Sequence, residues 1–234
     1  MPGFWQLWKK FKGVTATIPL RDDIPSRRYP VVNVLLIAAN LTVFFYQLSL
    51  GRYADQLIYQ YGVIPASFTA EGICAEQAVR FTAAMFLHGG WLHVLSNMLY
   101  LWIFGDNVED RMGHLPYLAF YLICGYLASL VHVLSYPASP VPMIGASGAI
   151  AGVLGAYFVL FPRASVLTLV FIFFFIQIVP IPAIVFLGLW FLLQVINAAA
   201  STGLAGGAAS GVAFWAHAGG FLAGVLLVKF FDRR

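Results

Sequence analysis

The chain has 234 residues, of which 61% are hydrophobic and 9% are Asp, Glu, Lys or Arg, with a formal net charge of +4. Soluble domains carry about 25% charged residues, so this composition excludes an ordinary soluble enzyme and implies a polytopic protein of the lipid bilayer. The positive charge belongs to segments beside the membrane and gives no reason to invoke nucleic acid.

The first 30 residues hold six of the thirteen Lys and Arg. They lack the apolar core and small-residue cleavage site of a signal peptide, and they read as a basic cytoplasmic tail. Within it Phe4, Trp5, Trp8 and Phe11 interleave with Lys9, Lys10 and Lys12. That pattern suits either a short interfacial helix on anionic lipid or a disordered basic tail.

Residues 31–231 form the remainder. Apolar runs near the ~20 residues a bilayer requires cover Val31–Leu50, Leu92–Val108, Leu115–Tyr136, Met143–Phe161, Ala183–Ala199 and Val212–Phe231. The expected fold is an all-α bundle of six transmembrane helices. With both termini cytoplasmic, eleven Lys and Arg lie inside and only Arg52 and Arg80 outside, a strong positive-inside bias. The 51–90 loop is then external and the only long one, and loops of that length tend to be functional. A seventh run, Val166–Val179, would reverse the last helix if it crossed. Its flanks "FPRAS" and "VPIPAI" hold three prolines, and "TLVFIFFFIQIV" is β-branched and aromatic, which predicts a re-entrant or interfacial hairpin.

Ionisable groups inside a membrane are costly and mark functional candidates. His93 and Asn97 are four apart and share one face of the second run, with Ser96 beside them. Ser147 opens the fourth run, and His217 lies in the outer half of the sixth. In the six-span topology these helices all enter from outside, so the polar groups converge at one depth. Gly148 with Gly152, and Gly220 with Gly224, form two G-x-x-x-G steps that let helix backbones approach closely. His217 falls on the glycine face of its helix, and a Ser facing a His there is the arrangement in which a base activates a hydroxyl. His88, His114 and His132 lie at span ends or lack a partner and read as interfacial.

Other membrane chemistries fail on the letters. No His is followed by Glu, so the H-E-x-x-H of a zinc protease is absent. Asp106 and Asp110 flank the cytoplasmic end of one helix and cannot form an intramembrane aspartyl pair. The G-x-S-x-G elbow of soluble hydrolases ends in Ala149 here. No metal or other cofactor is expected.

Three ordered motifs then resemble those of the rhomboid family of intramembrane serine proteases. "FLHGGWLHVLSNMLYLWIFG" (Phe86–Gly105) resembles its H-x-x-x-N second helix, "GASGAIAGVLGAY" its G-x-S-G fourth helix and "FWAHAGGFLAG" its A-H-x-x-G sixth. The resemblance covers roughly Val31 to Lys229 and is to the six-helix prokaryotic type. It implies a nucleophile at Ser147, a general base at His217, oxyanion stabilisation by His93 and Asn97, transmembrane protein substrates, and a bacterial inner membrane as the location. The alternative is a non-proteolytic member of the same fold. The chain departs from the family in its first loop, where a Trp-Arg pair is common and the nearest counterpart here is Val79-Arg80. Ser210, in the glycine-rich "ASTGLAGGAASG", resembles the gate region above the site.

Overall fold

The computed structural model describes residues 14–72, 74–172, 175–202 and 212–233. A strand, β1 (Val14–Arg21), precedes the first long helix, α1 (Val31–Ser49). Three short helices fill the following loop: α2 (Ala54–Tyr61), α3 (Pro65–Glu71) and α4 (Ala75–Ala84). Then come α5 (Trp91–Met112), α6 (His114–Ser135) and α7 (Ser147–Leu160), a hairpin of β2 (Ser165–Ile172) and β3 (Phe175–Pro182), and finally α8 (Ala183–Thr202) and α9 (Phe214–Phe231).

The helices coincide closely with the six apolar runs. Four of them, α1, α6, α8 and α9, are long and apolar enough to cross a membrane by length and composition. The other two differ for identifiable reasons. α5 has 22 residues, but its last turns carry Asp106, Glu109, Asp110 and Arg111. α7 has only 14 residues, about 21 Å of helix.

α7 is apolar on every side, as expected of a helix enclosed by others, and every residue from Gly148 to Tyr157 is buried. It packs against α5, α6 and most extensively α9. Glycine makes that last contact possible. A Cβ on Gly220 would meet the Gly148 carbonyl oxygen at 2.0 Å, and one on Gly224 would meet that of Gly152 at 2.0 Å.

The opposite end from Ser147 is fastened by polar groups. The buried carboxylate of Glu109 accepts the N–H groups of Val32 and Asn33, at 2.9 and 2.7 Å. A negative group thereby satisfies free amides at the N-terminus of α1. Asn33 in turn donates to the Leu101 carbonyl and accepts from Tyr117 Oη, which links α1, α5 and α6.

The all-α expectation requires correction, because β1, β2 and β3 form an antiparallel sheet in that order. The segment 166–179 is a hairpin, as its composition implied, and its form is β. Burial alternates along β2, with Val166, Thr168 and Val170 facing inward, the period-2 pattern of a strand with one covered face. β1 comes from the N-terminal 30 residues, where no element was expected beyond an interfacial helix at residues 4–12, which lies outside the described residues. The β-branched residues of "VTATIPLR" suit a strand. Its Pro19 sits beside a register shift, the kind of irregular edge position that tolerates proline.

The loop between α1 and α5 is built as a brace. Val63 and Met143 exchange backbone hydrogen bonds at 3.0 and 2.8 Å, and Gly145 N–H donates to the Ala84 carbonyl at 2.8 Å. Arg80 donates to the carbonyls of Tyr59 and Gly62, while its neighbour Val79 is exposed. The loop therefore holds the chain that leads into Ser147.

Candidate active site

Ser147 is the first residue of α7, and its Oγ lies 2.8 Å from Nε2 of His217 on α9. Both side chains are half-buried and line a cavity of about 800 Å³ together with His93, Asn97, His132 and Tyr136. The glycine faces of α7 and α9 touch backbone to backbone, which brings these two side chains within reach of each other.

The first helical bond of α7 runs from Ile150 N–H to the Ala146 carbonyl, at 3.0 Å. The amides of residues 147–149 thus have no intrahelical acceptor and point out of the N-terminus, where a negative charge is favoured. The approach to this end is through Gly145, at φ +118°, where a Cβ would lie 2.6 Å from His93 Nε2. Only glycine fits both the backbone angle and the space.

His93 and Asn97 stand one turn apart on α5, beside that approach. Gly89 N–H donates to His93 Nδ1 at 3.3 Å, which leaves the ring proton on Nε2, the atom facing Gly145. Asn97 is buried, and its Nδ2 lies 3.0 Å from His88 Nε2. Two hydrogen-bond donors therefore border the space in front of Ser147. Ser96 also lines the cavity, with its hydroxyl donating to the His93 carbonyl of its own helix.

The remaining sequence candidates separate. His114 bonds Glu109 at the far end of the bundle. His132 lines the cavity and packs on Tyr136, ring centroids 5.3 Å apart. His88 is part of the site's support: its Nδ1 is 3.3 Å from the Phe86 carbonyl, its Nε2 receives Asn97, and its backbone exchanges hydrogen bonds with Gln47 of α1. Sequence reasoning missed His88 because it precedes the helix. The available signal was the Gly89-Gly90 break, which folds it back toward Asn97. A second residue was missed entirely: Gln194 of α8, whose Oε1 lies 2.9 Å from His217 Nδ1. Ser210 lies outside the described residues.

A serine hydroxyl held against an imidazole, with His93 and Asn97 bordering the same cavity, is an arrangement suited to nucleophilic acyl chemistry. The family model described as Rhomboid domain matches residues 75–234. The chain is 35% identical over 154 residues to Rhomboid protein 1, mitochondrial, of Saccharomyces cerevisiae, covering 63% of this chain and 40% of the relative. It is 34% identical over 128 residues to Rhomboid protease GluP of Bacillus subtilis, 54% of this chain and 24% of the relative. RHOMBOID-like protein 4 of Arabidopsis thaliana is 31% identical over 188 residues, 76% of this chain and 43% of the relative. The matched regions thus span less than half the length of each of these relatives, which come from a fungus, a bacterium and a plant. With its apolar helices and a family model that takes in the site and most of the bundle, this integral membrane protein belongs to the rhomboid family.

Proposed function

We propose that the protein is an intramembrane serine endopeptidase that hydrolyses peptide bonds in or near the transmembrane helices of other membrane proteins. The observation that carries this is the 2.8 Å contact between Ser147 Oγ and His217 Nε2 in a cavity open enough to hold water. A relative named as a protease, GluP, supports the same reaction class.

In this mechanism Ser147 attacks the scissile carbonyl as His217 Nε2 takes the hydroxyl proton. The tetrahedral oxyanion is held by His93 Nε2–H, the Asn97 amide and the Ser147 backbone N–H. His217 then returns its proton to the leaving amine, and water from the cavity resolves the acyl-enzyme by the same base. In this reading α1, α5, α6, α7, α8 and α9 serve as six crossings, with both termini cytoplasmic. A 14-residue α7 is about 9 Å shorter than a ~30 Å hydrocarbon layer, so Ser147 lies below the outer surface. Substrate enters sideways from lipid, and its helix unwinds locally, because helical amides are already bonded and shielded.

The test is purified protein in detergent or liposomes with several single-span substrates, beside Ser147→Ala. Cleavage by the wild type and none by the variant is expected. Equal cleavage by both removes Ser147 from the chemistry, and its absence in both leaves the non-proteolytic alternative standing.

A further inference from the structure

His217 is gripped on both ring nitrogens. Ser147 Oγ is 2.8 Å from Nε2, and Gln194 Oε1 is 2.9 Å from Nδ1. A neutral imidazole carries one N–H, and a carbonyl oxygen can only accept. The amide oxygen therefore selects the Nδ1–H tautomer and leaves the Nε2 lone pair facing the serine hydroxyl. The other tautomer would set a lone pair of Nδ1 against one of Gln194 and turn an N–H toward the nucleophile.

Gln194 sits within the apolar stretch "LGLWFLLQVIN" of α8, whose neighbours Leu192, Leu193 and Ile196 are all half exposed. A polar amide in such a helix requires a partner inside the bundle, and His217 is that partner. The seat is shared by Trp190, whose ring lies 5.9 Å from His217, and by Phe191, stacked on Phe221 at 4.7 Å. The other titratable groups acting on His217 are two imidazoles, His93 from α5 and His132 from α6. Neither supplies the acceptor that an acid would provide in a three-residue relay.

We infer that Gln194 is the positioning residue of the Ser147–His217 pair, its amide oxygen accepting Nδ1–H and holding the ring in the tautomer that can take a proton from Ser147. The inference rests on the proposed protease reaction. It also makes the base depend on a helix other than its own, so that α8 must be seated for His217 to be competent.

Two variants separate positioning from bulk. Gln194→Met keeps the length of the side chain but replaces the amide oxygen with a thioether, at most a weak acceptor. Gln194→Glu keeps the acceptor and adds a charge that favours the imidazolium. Each is measured by kcat, KM, the pH dependence of kcat, melting temperature, and the rate at which a fluorophosphonate labels Ser147. For Gln194→Met, kcat and labelling fall together on the order of 10- to 100-fold, the scale of one hydrogen bond to a group that becomes charged, with KM unchanged. Gln194→Glu recovers activity relative to Met, and its acidic limb moves to higher pH. If Gln194→Met melts early, the pH shift in Gln194→Glu decides.

The inference is overturned by wild-type kcat and labelling in Gln194→Met. It is equally overturned if Gln194→Glu is no better than Met with an unmoved limb, because the amide would then be donating rather than accepting. Failure of the protease reading looks different: wild-type protein neither cleaves nor labels, or Ser147→Ala does both.

Discussion

Gly220 on α9 faces Gly148 on α7 so closely that a Cβ on it would lie 2.0 Å from the Gly148 carbonyl oxygen. Backbone cannot yield as a flexible side chain can, so Gly220→Ala must push the helices apart and lengthen the Ser147–His217 contact. Overpacking costs about 1–3 kcal/mol, and here it falls on the site as well as on stability. Gly220→Ala and Gly224→Ala are each expected to lower the melting temperature and the cleavage rate together. Gly188→Ala is the control, because its nearest contact would be Phe158 at an ordinary 3.7 Å. Full activity in Gly220→Ala would show that this contact does not set the geometry.

His217→Ala should remove cleavage while leaving a folded, inserted protein, as when a nucleophile and its base act as one unit and losses reach about 10⁶. Fluorophosphonate labelling of Ser147 should fall with it. Undiminished labelling would mean that Ser147 is activated by some other group.

His93→Ala and Asn97→Ala should each lower kcat by roughly 10²–10³, the usual cost of one oxyanion donor. His88 touches the proposed donors through its 3.0 Å contact with Asn97 and an edge-on ring contact with His93, centroids 5.0 Å apart, so as a supporting residue His88→Leu should lower kcat less than Asn97→Ala does. In an Asn97→Ala background, His88→Leu should add little, because contacting residues are not additive. A change confined to KM in these variants would point to substrate binding instead.

Asp22 follows β1, accepts from Tyr157 Oη and from Asn107 Nδ2, and so ties the strand to α7 and α5. Burial raises its pKa to about 6, reinforced by the nearby carboxylates of Asp106 and Asp23 and opposed by the Tyr157 hydrogen bond. The folded protein then binds this proton more tightly than the unfolded chain does. The stability it contributes is greatest below about pH 4 and is lost as pH rises through about 6. Wild type should therefore lose roughly 2–4 °C relative to Asp22→Asn between those limits. A difference that stays flat with pH would show that Asp22 titrates normally.

Much of the candidate site was legible because its signals are local. Ser147 between glycines, His217 on a glycine face and the four-residue step from His93 to Asn97 all follow from helical spacing, and the helix ends came within a few residues of the apolar runs. What escaped depends on tertiary contact. β1 is a short run interrupted by Pro19, and only its pairing with β2 makes it a strand. His88 gains its role from a fold-back at Gly89-Gly90. Gln194 carries no charge, so a search for ionisable groups passes over it, although an amide oxygen, like a carboxylate, can accept from Nδ1–H.

The hairpin also decides the direction of the last two helices. Ser147 and His217 each lie near the N-terminal end of their own helix and meet at 2.8 Å, so α7 and α9 run the same way. An even number of crossings must therefore separate them, and α8 followed by α9 supplies two only if residues 165–182 do not cross. β2 and β3 pair antiparallel from Ser165–Pro182 to Ile172–Phe175, so the chain returns to the side it left. Arg163 and Val212 should then lie on opposite sides of the membrane. Each can be made a single cysteine in a background of Cys74→Ser and Cys124→Ala, the first exposed and the second buried in the native chain. A membrane-impermeant thiol reagent on intact cells should label position 212 and spare position 163, which should react only after lysis. Labelling of both from one side would mean that α8 does not cross, and labelling of 163 alone would invert the whole bundle and its positive-inside orientation.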